Sequence, residues 1–233
     1  MHILDIGMKD YELELPETAA PAFRRYYELL EERGKVMNLT AITGEEGVYT
    51  LHFLDSIYLL KLADFKNKSV IDIGSGAGFP GLPLKIAEPS LSLTLLDAQQ
   101  KRVSFMQEVS DSVNAEAVCL HARAEEAAFD KKMREKYDFA VSRAVARLNI
   151  LCELCLPFVK LGGLFIAMKS TGSDDEISEA ANAIAKLGGT LEKTVDYPVP
   201  GTDAVHRAVL IRKTAETPSG YPRRFAKIQK NPL

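Results

Sequence analysis

The chain has 233 residues, enough for one large α/β domain with an N-terminal extension, and its formal net charge of −3 excludes wholesale coating of nucleic acid. No apolar run is long enough to cross a bilayer, and the opening Met1-His-Ile-Leu-Asp5 is too short and too acidic for a secretory signal. Cys119, Cys152 and Cys155 are too few, and odd in number, for a disulfide scaffold; they fit a reducing cytoplasm.

The first third reads as helical. Phe23, Tyr26, Tyr27 and Leu30 share one helical face with charges between them, and Gly34 offers a C-terminal stop. Asn38-Leu-Thr-Ala-Ile-Thr43 then connects to Thr43-x-x-Glu46, a capping box that predicts a helix to about Leu62 with Val48, Leu51, Leu54 and Tyr58 on its apolar side. These helices are expected to cap one end of a sheet. His52, Asp55 and Ser56 fall on one turn without a nucleophile-elbow or oxyanion motif. They read as helix packing and hydrogen bonding at the mouth of a site rather than as a hydrolytic triad.

From Ser69 a β-branched run stops in a glycine cluster, Asp72-Ile-Gly74-Ser-Gly76-Ala-Gly78-Phe79-Pro80-Gly81, and a helical segment follows. Strand, Gly-rich turn and helix in that order let backbone N–H groups and a helix start approach a nucleotide-like cofactor, with side chains at Gly74, Gly76 and Gly78 expected to block it. The spacing Gly76-x-Gly78-x-x-Gly81 matches the dinucleotide fingerprint, and Asp72-x-Gly-x-Gly-x-Gly matches the acidic first motif of class I S-adenosylmethionine (SAM) methyltransferases. A carboxylate at the strand end suits the cationic amino-acid moiety of SAM and repels a pyrophosphate, while Pro80 removes an N–H that a phosphate turn needs. SAM is the better reading. A second apolar run ends in Asp97, where a carboxylate can accept hydrogen bonds from both ribose hydroxyls.

Strands are predicted at 69–73, 91–96, 116–120, 137–142, 163–168, 190–197 and 204–212, and helices at 80–88, 99–113, 124–134, 148–159 and 173–187. Regular alternation implies a mainly parallel, doubly wound sheet. The turn Pro198-Val-Pro-Gly201 lets the last two strands form a hairpin, which makes the last strand antiparallel in a seven-stranded mixed sheet. That ending is typical of the Rossmann-like class I SAM methyltransferase fold. The expected organisation is a helical extension (1–66) packed on the core, a SAM-binding core (67–213) and a basic C-terminal tail (214–233).

After the third strand, Ala124 and Glu125 are candidates for reading adenine with backbone groups, at a helix start whose dipole the acids also favour. After the fourth strand comes Ser142-Arg143-Ala-Val-Ala-Arg147, where substrate should meet the methyl group. There is no Asn/Asp-Pro-Pro-aromatic tetrapeptide and no nucleophilic Cys, so no general base is expected, with Arg143 the one candidate for a catalytic part. Such a site fits an acceptor that is nucleophilic as a neutral atom, such as guanine N7. Arg143 is assigned to the cofactor side; Arg147, Lys169 and Arg207 to RNA. Residues 212–233 carry six Lys or Arg against Glu216 alone, so Arg223 and Arg224 are further RNA candidates in a tail. Cys152-x-x-Cys155 has no second ligand pair and reads as two buried thiols, with no metal site expected.

Together, Asn38-Leu-Thr, His52-Phe-Leu-Asp-Ser56, Asp72 to Gly81, Ala124-Glu125, Ser142-Arg-Ala-Val-Ala146 and Lys230-Asn-Pro-Leu233 resemble one family over nearly the whole chain. It is the bacterial small-subunit rRNA guanine-N7 methyltransferases called RsmG, or glucose-inhibited division protein B. The resemblance implies methylation of N7 on one guanine of 16S ribosomal RNA with SAM as donor. It also implies a cytoplasmic enzyme, read here as a monomer without membrane contact, whose SAM contacts are Gly74, Phe79, Ala124, Glu125 and Arg143. A SAM enzyme with a protein or small-molecule substrate, and an RNA-binding assembly factor without turnover, are the alternatives.

Overall fold

The computed structural model describes residues 3–37 and 39–233, with residues 34–36 described by their backbone alone; Asn38 lies outside them. Among these residues, β1 (Ser69–Ile73), β2 (Ser92–Asp97), β3 (Val118–His121), β4 (Tyr137–Arg143), β5 (Val159–Ser170), β6 (Gly189–Pro198) and β7 (Val205–Lys213) form one sheet in the order β3-β2-β1-β4-β5-β7-β6. The first five strands pair in parallel, and β7 lies antiparallel between β5 and β6. The mixed, doubly wound sheet matches the sequence expectation. Strand order reverses between β1 and β4, which opens a crevice at their carboxyl ends.

Both faces of the sheet are covered, so its central strands are apolar on both sides. Val70, Leu93, Val141 and Ile166 face a layer that includes α1 (Ile3–Asp10), α2 (Ala19–Met37), α6 (Gly81–Ala87) and α7 (Gln100–Ser112). Ile71, Leu96, Ala140 and Phe165 face α8 (Ala124–Ala127), α9 (Leu148–Cys155), α11 (Ala181–Lys186) and α12 (Phe225–Lys230). The N-terminal helices therefore share a core with one face of the sheet instead of capping its end. Buried Phe23, Tyr26, Leu29 and Leu30 need an apolar layer to pack against, and the sheet face with α6 and α7 supplies it.

Local signals gave way to packing in several places. α2 runs through Gly34 to Met37, because burial of its apolar stripe outweighs a glycine penalty of about 1 kcal/mol. The Thr43–Glu46 capping box does not form; Gly44, at φ +81°, precedes the helix, and no side chain caps it. The predicted single helix to Leu62 is instead α3 (Glu45–Val48), a π-helical stretch (Tyr49–Leu54), α4 (Asp55–Ile57) and α5 (Leu59–Leu62). The wider turn buries Tyr49, Thr50, His52, Phe53 and Leu54 together, more than one face of an α-helix can offer. Beyond Ala127 the predicted helix becomes turns, where Asp130 Oδ1 accepts the Lys132 N–H at 2.8 Å. The predicted helix 173–187 breaks at Ala180 into α10 (Asp174–Glu179) and α11. The predicted helix 148–159 ends as α9 at Cys155 just before Pro157, which lacks an N–H for the helix, and β5 starts at Val159.

Residues 214–233 are a packed segment. Ile228 is fully buried, and the Arg134 guanidinium donates to the carbonyls of Thr217 (2.8 Å), Tyr221 (2.9 Å) and Pro218 (3.2 Å).

Candidate active site

The loop from Gly74 to Pro80 joins β1 to α6 at the switch point. Gly76 and Gly78 hold φ +62° and +100°, which glycine adopts freely. The three glycines serve different ends. A Cβ on Gly78 would fall 2.4 Å from Leu82 Cδ1 and 2.7 Å from Tyr26 Oη, and one on Gly74 2.7 Å from Val145 Cγ2. Packing within the protein excludes a side chain at Gly78, which does not line the cleft, contrary to the expectation that it clears a path for ligand. At Gly74 the obstacle is the exposed Val145 side chain, which lines the cleft beside it. Only Gly76 would put its Cβ into open space. Tyr26 of α2 also donates its hydroxyl to the Ala77 carbonyl, so the N-terminal helices brace the loop from behind.

Asp72 does not face the cleft. It is fully buried, its Oδ2 accepts the Gly81 N–H at 2.8 Å, and its buried Oδ1 has no partner. Burial raises the carboxyl to about 7, against the opposing pull of the Gly81 N–H and the Arg143 charge. Asp72 thus ties the loop to its strand. Of the two expected contacts with a cationic group, direct or through water, its burial excludes the direct one.

In front of the loop is a cleft of about 540 Å³ lined by Gly74, Gly76, Phe79, Asp97, Arg102 and Arg143, among others. Asp97 closes one wall. Its Oδ1 accepts the Gln99 N–H at 2.8 Å, its Oδ2 accepts the Gly76 N–H at 3.0 Å and lies 3.5 Å from Arg102 Nη1, and Oδ1 keeps a further lone pair for a hydroxyl donor. The Asp97 carboxylate on the wall and the Asp72 carboxyl beneath the loop fit a ribose better than a pyrophosphate, with Arg102 and Arg143 the basic members of the lining. Ala124 and Glu125 are not among the cleft walls. They open α8 just beyond the Asp97 end, where the Ala122 N–H donates to the Asp97 carbonyl at 3.2 Å; Ala124 is buried toward α9, and the Glu125 carboxylate lies 3.9 Å from Arg123. Asp97→Ala is expected to weaken SAM binding at least tenfold by titration calorimetry, because it frees the Gly76 N–H as well as the hydroxyl acceptor. Unchanged affinity would remove Asp97 from the site.

Arg143 ends β4 and joins this cleft to a second cavity. Its Nη1 donates to Asp55 Oδ2 at 2.8 Å and to the Leu51 carbonyl at 3.2 Å, its Nη2 donates to His52 Nδ1 at 2.9 Å, and its guanidinium lies 4.9 Å from the Phe79 ring centre. The π-helical turn makes this possible, since the Asp55 N–H goes to Thr50 and His52 and leaves the Leu51 carbonyl to Arg143. A guanidinium only donates, so His52 Nδ1 accepts, and its Nε2–H donates to Thr40 Oγ1 at 2.7 Å. Burial and then the Arg143 charge hold His52 down at about 3, so it is neutral. Asp55, 1% exposed, also accepts from the Tyr197 hydroxyl and from His206 Nδ1, both at 2.7 Å. Burial alone would raise the Asp55 carboxyl, but the His206 hydrogen bond and the Arg143 charge hold it below the usual range. Sequence reasoning singled out Arg143, His52 and Asp55, but not Tyr197 or His206. Their partner lies more than 140 residues away in the chain.

The second cavity, about 430 Å³, is lined by Leu51, Arg143, Met168, Lys169, Glu176 and His206, among others. The basic residues assigned to RNA are mostly matched by acids. Lys169 Nζ lies 2.6 Å from Glu176 Oε1, Arg207 pairs with Asp174 and Asp196, and Arg147 pairs with Glu179. Arg223 grips the fully buried Glu153 with Nε at 2.8 Å and Nη2 at 2.6 Å. The sequence shows the basic residues but not the acids folded opposite them: Asp174, Glu176 and Glu179, which meet Arg207, Lys169 and Arg147, all come from α10. Arg224 is exposed and has no acidic partner among the described residues. Cys152 and Cys155 are buried in α9, where burial raises both thiols, and no cluster of metal-ligating side chains forms among the described residues.

A family model for rRNA small subunit methyltransferase G (GidB) matches residues 19–199. A ribosomal RNA small subunit methyltransferase G from Clostridium beijerinckii is 45% identical over 99% of this chain and 98% of its own length. That of Acetivibrio thermocellus is 42% identical over 97% and 94%. Among solved structures, a SAM-dependent O-methyltransferase from Thermotoga maritima gives a TM-score of 0.54 at 16% identity, covering 82% of this chain and 73% of that one. A precorrin-6y C5,15-methyltransferase from Geobacter metallireducens gives 0.53 at 13% identity, covering 75% and 92%. At those identities the structural likeness establishes the fold alone.

Proposed function

The chain belongs to the rRNA small subunit methyltransferase G family, and from that premise we propose that it transfers the SAM methyl group to N7 of one guanine in 16S rRNA of the small ribosomal subunit. One observation carries the reading. A cleft with a carboxylate wall for a nucleoside opens beside Arg143 into a cavity whose His and Asp side chains are already committed to hydrogen bonds. SAM supplies a methyl carbon on a sulfonium, whose sulfur keeps the bond pair and leaves as a neutral thioether. Guanine N7 offers a lone pair and loses no proton, so no residue has to act as a base. What remains for the protein is to hold the acceptor in line, and proximity and orientation supply much of the rate. In this reading Asp97 orients the ribose, Gly74, Gly76 and Phe79 shape the floor, and the adenine reaches past the Asp97 end of the cleft to Ala124 and Glu125 at the start of α8. Arg143 stays fixed by Asp55 and His52 and shapes the neck between the two ligands.

The test is incubation with labelled SAM and undermodified small-subunit RNA, followed by chain scission specific to 7-methylguanosine. Scission at one guanine supports the reading. Absence of label in RNA sinks it, label in protein points to a different acceptor, and tight binding without label points to an assembly factor.

Of the five basic residues assigned to RNA, Arg224 is the one with no carboxylate partner among the described residues, whereas Arg147, Lys169, Arg207 and Arg223 must first exchange one. Arg224→Ala is expected to weaken RNA binding uniformly and reduce the slope of log K against log salt by about 1. An unaltered slope would remove Arg224 from the RNA contact. We further read the chain as a cytoplasmic monomer, with residues 1–66 as the extension, 67–213 as the core and 214–233 as the C-terminal segment. Its free cysteines favour the cytoplasm, and no helix among the described residues is long and apolar enough to cross a membrane.

A further inference from the structure

Adenine and guanine both carry an exposed N7, so an enzyme that modifies N7 must find its specificity elsewhere on the base. The strand order indicates where. From the cofactor cleft, the carboxyl edge of the sheet runs β2 (Asp97), β1 (Gly74), β4 (Arg143), β5 (Lys169) and β7 (His206). Neighbouring strands lie about 4.8 Å apart. A base whose N7 faces the methyl at the Arg143 neck carries its Watson–Crick edge roughly at right angles to the N7 lone pair, on the side it shares with O6, and that edge can turn toward β5, β7 and α10. Lys169 and Glu176 stand there.

The two form a donor–acceptor pair with capacity to spare. Lys169 Nζ donates to the Ala146 carbonyl at 2.7 Å and to Glu176 Oε1 at 2.6 Å, leaving a third N–H. Glu176 Oε1 also accepts the Leu148 N–H, and no hydrogen bond reaches Oε2 among the described residues. Both side chains are mostly withdrawn from solvent, 11% and 18% exposed, and both line the 430 Å³ cavity. Guanine's Watson–Crick edge presents an acceptor, O6, beside two donors, N1–H and N2–H. Adenine presents a donor, N6–H, beside an acceptor, N1.

We propose that this cavity is the acceptor-base pocket and that the Lys169–Glu176 pair selects guanine, Lys169 donating to O6 while Glu176 Oε2 accepts from N1–H and N2–H. Adenine would set N6–H against the ammonium and its N1 lone pair against the carboxylate, two mismatches in a partly desolvated site. The assignment rests on the guanine-N7 reading above. It gives Lys169 a base contact in place of a phosphate contact and accounts for its acid partner.

The experiment uses the full chain and undermodified small-subunit RNA carrying guanine, inosine or adenine at the position that scission identifies. Inosine keeps O6, N1–H and N7 but lacks the 2-amino group. The wild type is expected to prefer guanine over inosine about tenfold in kcat/KM and to leave adenine unmodified. Glu176→Ala should lower kcat/KM on guanine about a hundredfold and treat guanine and inosine alike, with SAM affinity within twofold of wild type. Glu176→Gln, which keeps an oxygen for the Leu148 N–H, should lose the same preference. A wild type that does not distinguish guanine from inosine overturns the proposal with no variant needed, as does a Glu176→Ala protein that keeps the tenfold preference. A wild type that yields no scission overturns the underlying reading instead.

Discussion

Arg143→Ala is expected to lower methyl transfer by about 10²–10³-fold and to destabilise the protein as well. The guanidinium contacts Asp55, His52, the Leu51 carbonyl and the Phe79 ring, so its loss frees the neck between the two cavities. Removing one member of a buried ion pair leaves the other desolvated, at a cost of about 3–5 kcal/mol. Asp55 keeps Tyr197 and His206, which places the effect at the low end, a fall in melting temperature on the order of 6–12 °C for a chain of this size. A variant that melts with the wild type and retains full turnover would show that Arg143 is merely a neighbour of the site.

The same network carries a pH signature. Its Asp55 carboxyl lies below its ordinary 3.8, so that contribution is present above this value and is lost as pH falls through the lowered one. The His206 imidazole lies above its ordinary 6.5, chiefly through the Asp55 hydrogen bond, so its contribution is present below 6.5 and is lost as pH rises through the raised value. The network therefore favours the folded state most between these limits. Melting temperatures recorded from pH 5 to 9 should fall on the alkaline side, and His206→Asn should flatten that fall. A slope identical in the two proteins would deny His206 its link to Asp55.

Arg223→Ala should produce the largest loss of stability among the basic residues, with little effect on RNA binding. Glu153 is wholly buried and receives the Arg223 backbone N–H at 2.7 Å, its Nε at 2.8 Å and its Nη2 at 2.6 Å. Truncating the side chain strands that carboxylate in the core. The expected cost is again about 3–5 kcal/mol, or a fall of roughly 6–20 °C. The double variant Arg223→Leu with Glu153→Leu should recover most of it, since replacing both charges removes the desolvation penalty along with the pair. A variant with unchanged melting temperature and a shallower salt dependence would return Arg223 to the RNA surface. Truncation after Lys213, attractive as a test of a basic arm, would remove this anchor together with Ile228 and the carbonyls held by Arg134. It would report on folding before RNA.

The primary chain determined those features whose physics is short in range. Alternation of apolar runs set the positions of the strands and the doubly wound, mainly parallel character of the sheet, and the glycine cluster after β1 marked the turn. Asp72, Asp97 and Arg143 were legible because each lies at or just before the end of a parallel strand, where such folds gather their ligands. Only the folded chain decided which charges meet. Asp55 accepts from residues 142 and 151 positions away, α10 sets its acids against Lys169, Arg207 and Arg147, and Glu153 turns an apparent RNA arm into a core anchor. Charge pairing depends on distance in space, which composition and periodicity do not encode. The π-helical turn at Tyr49–Leu54 belongs with these, because it exists to satisfy packing on one side and Arg143 on the other.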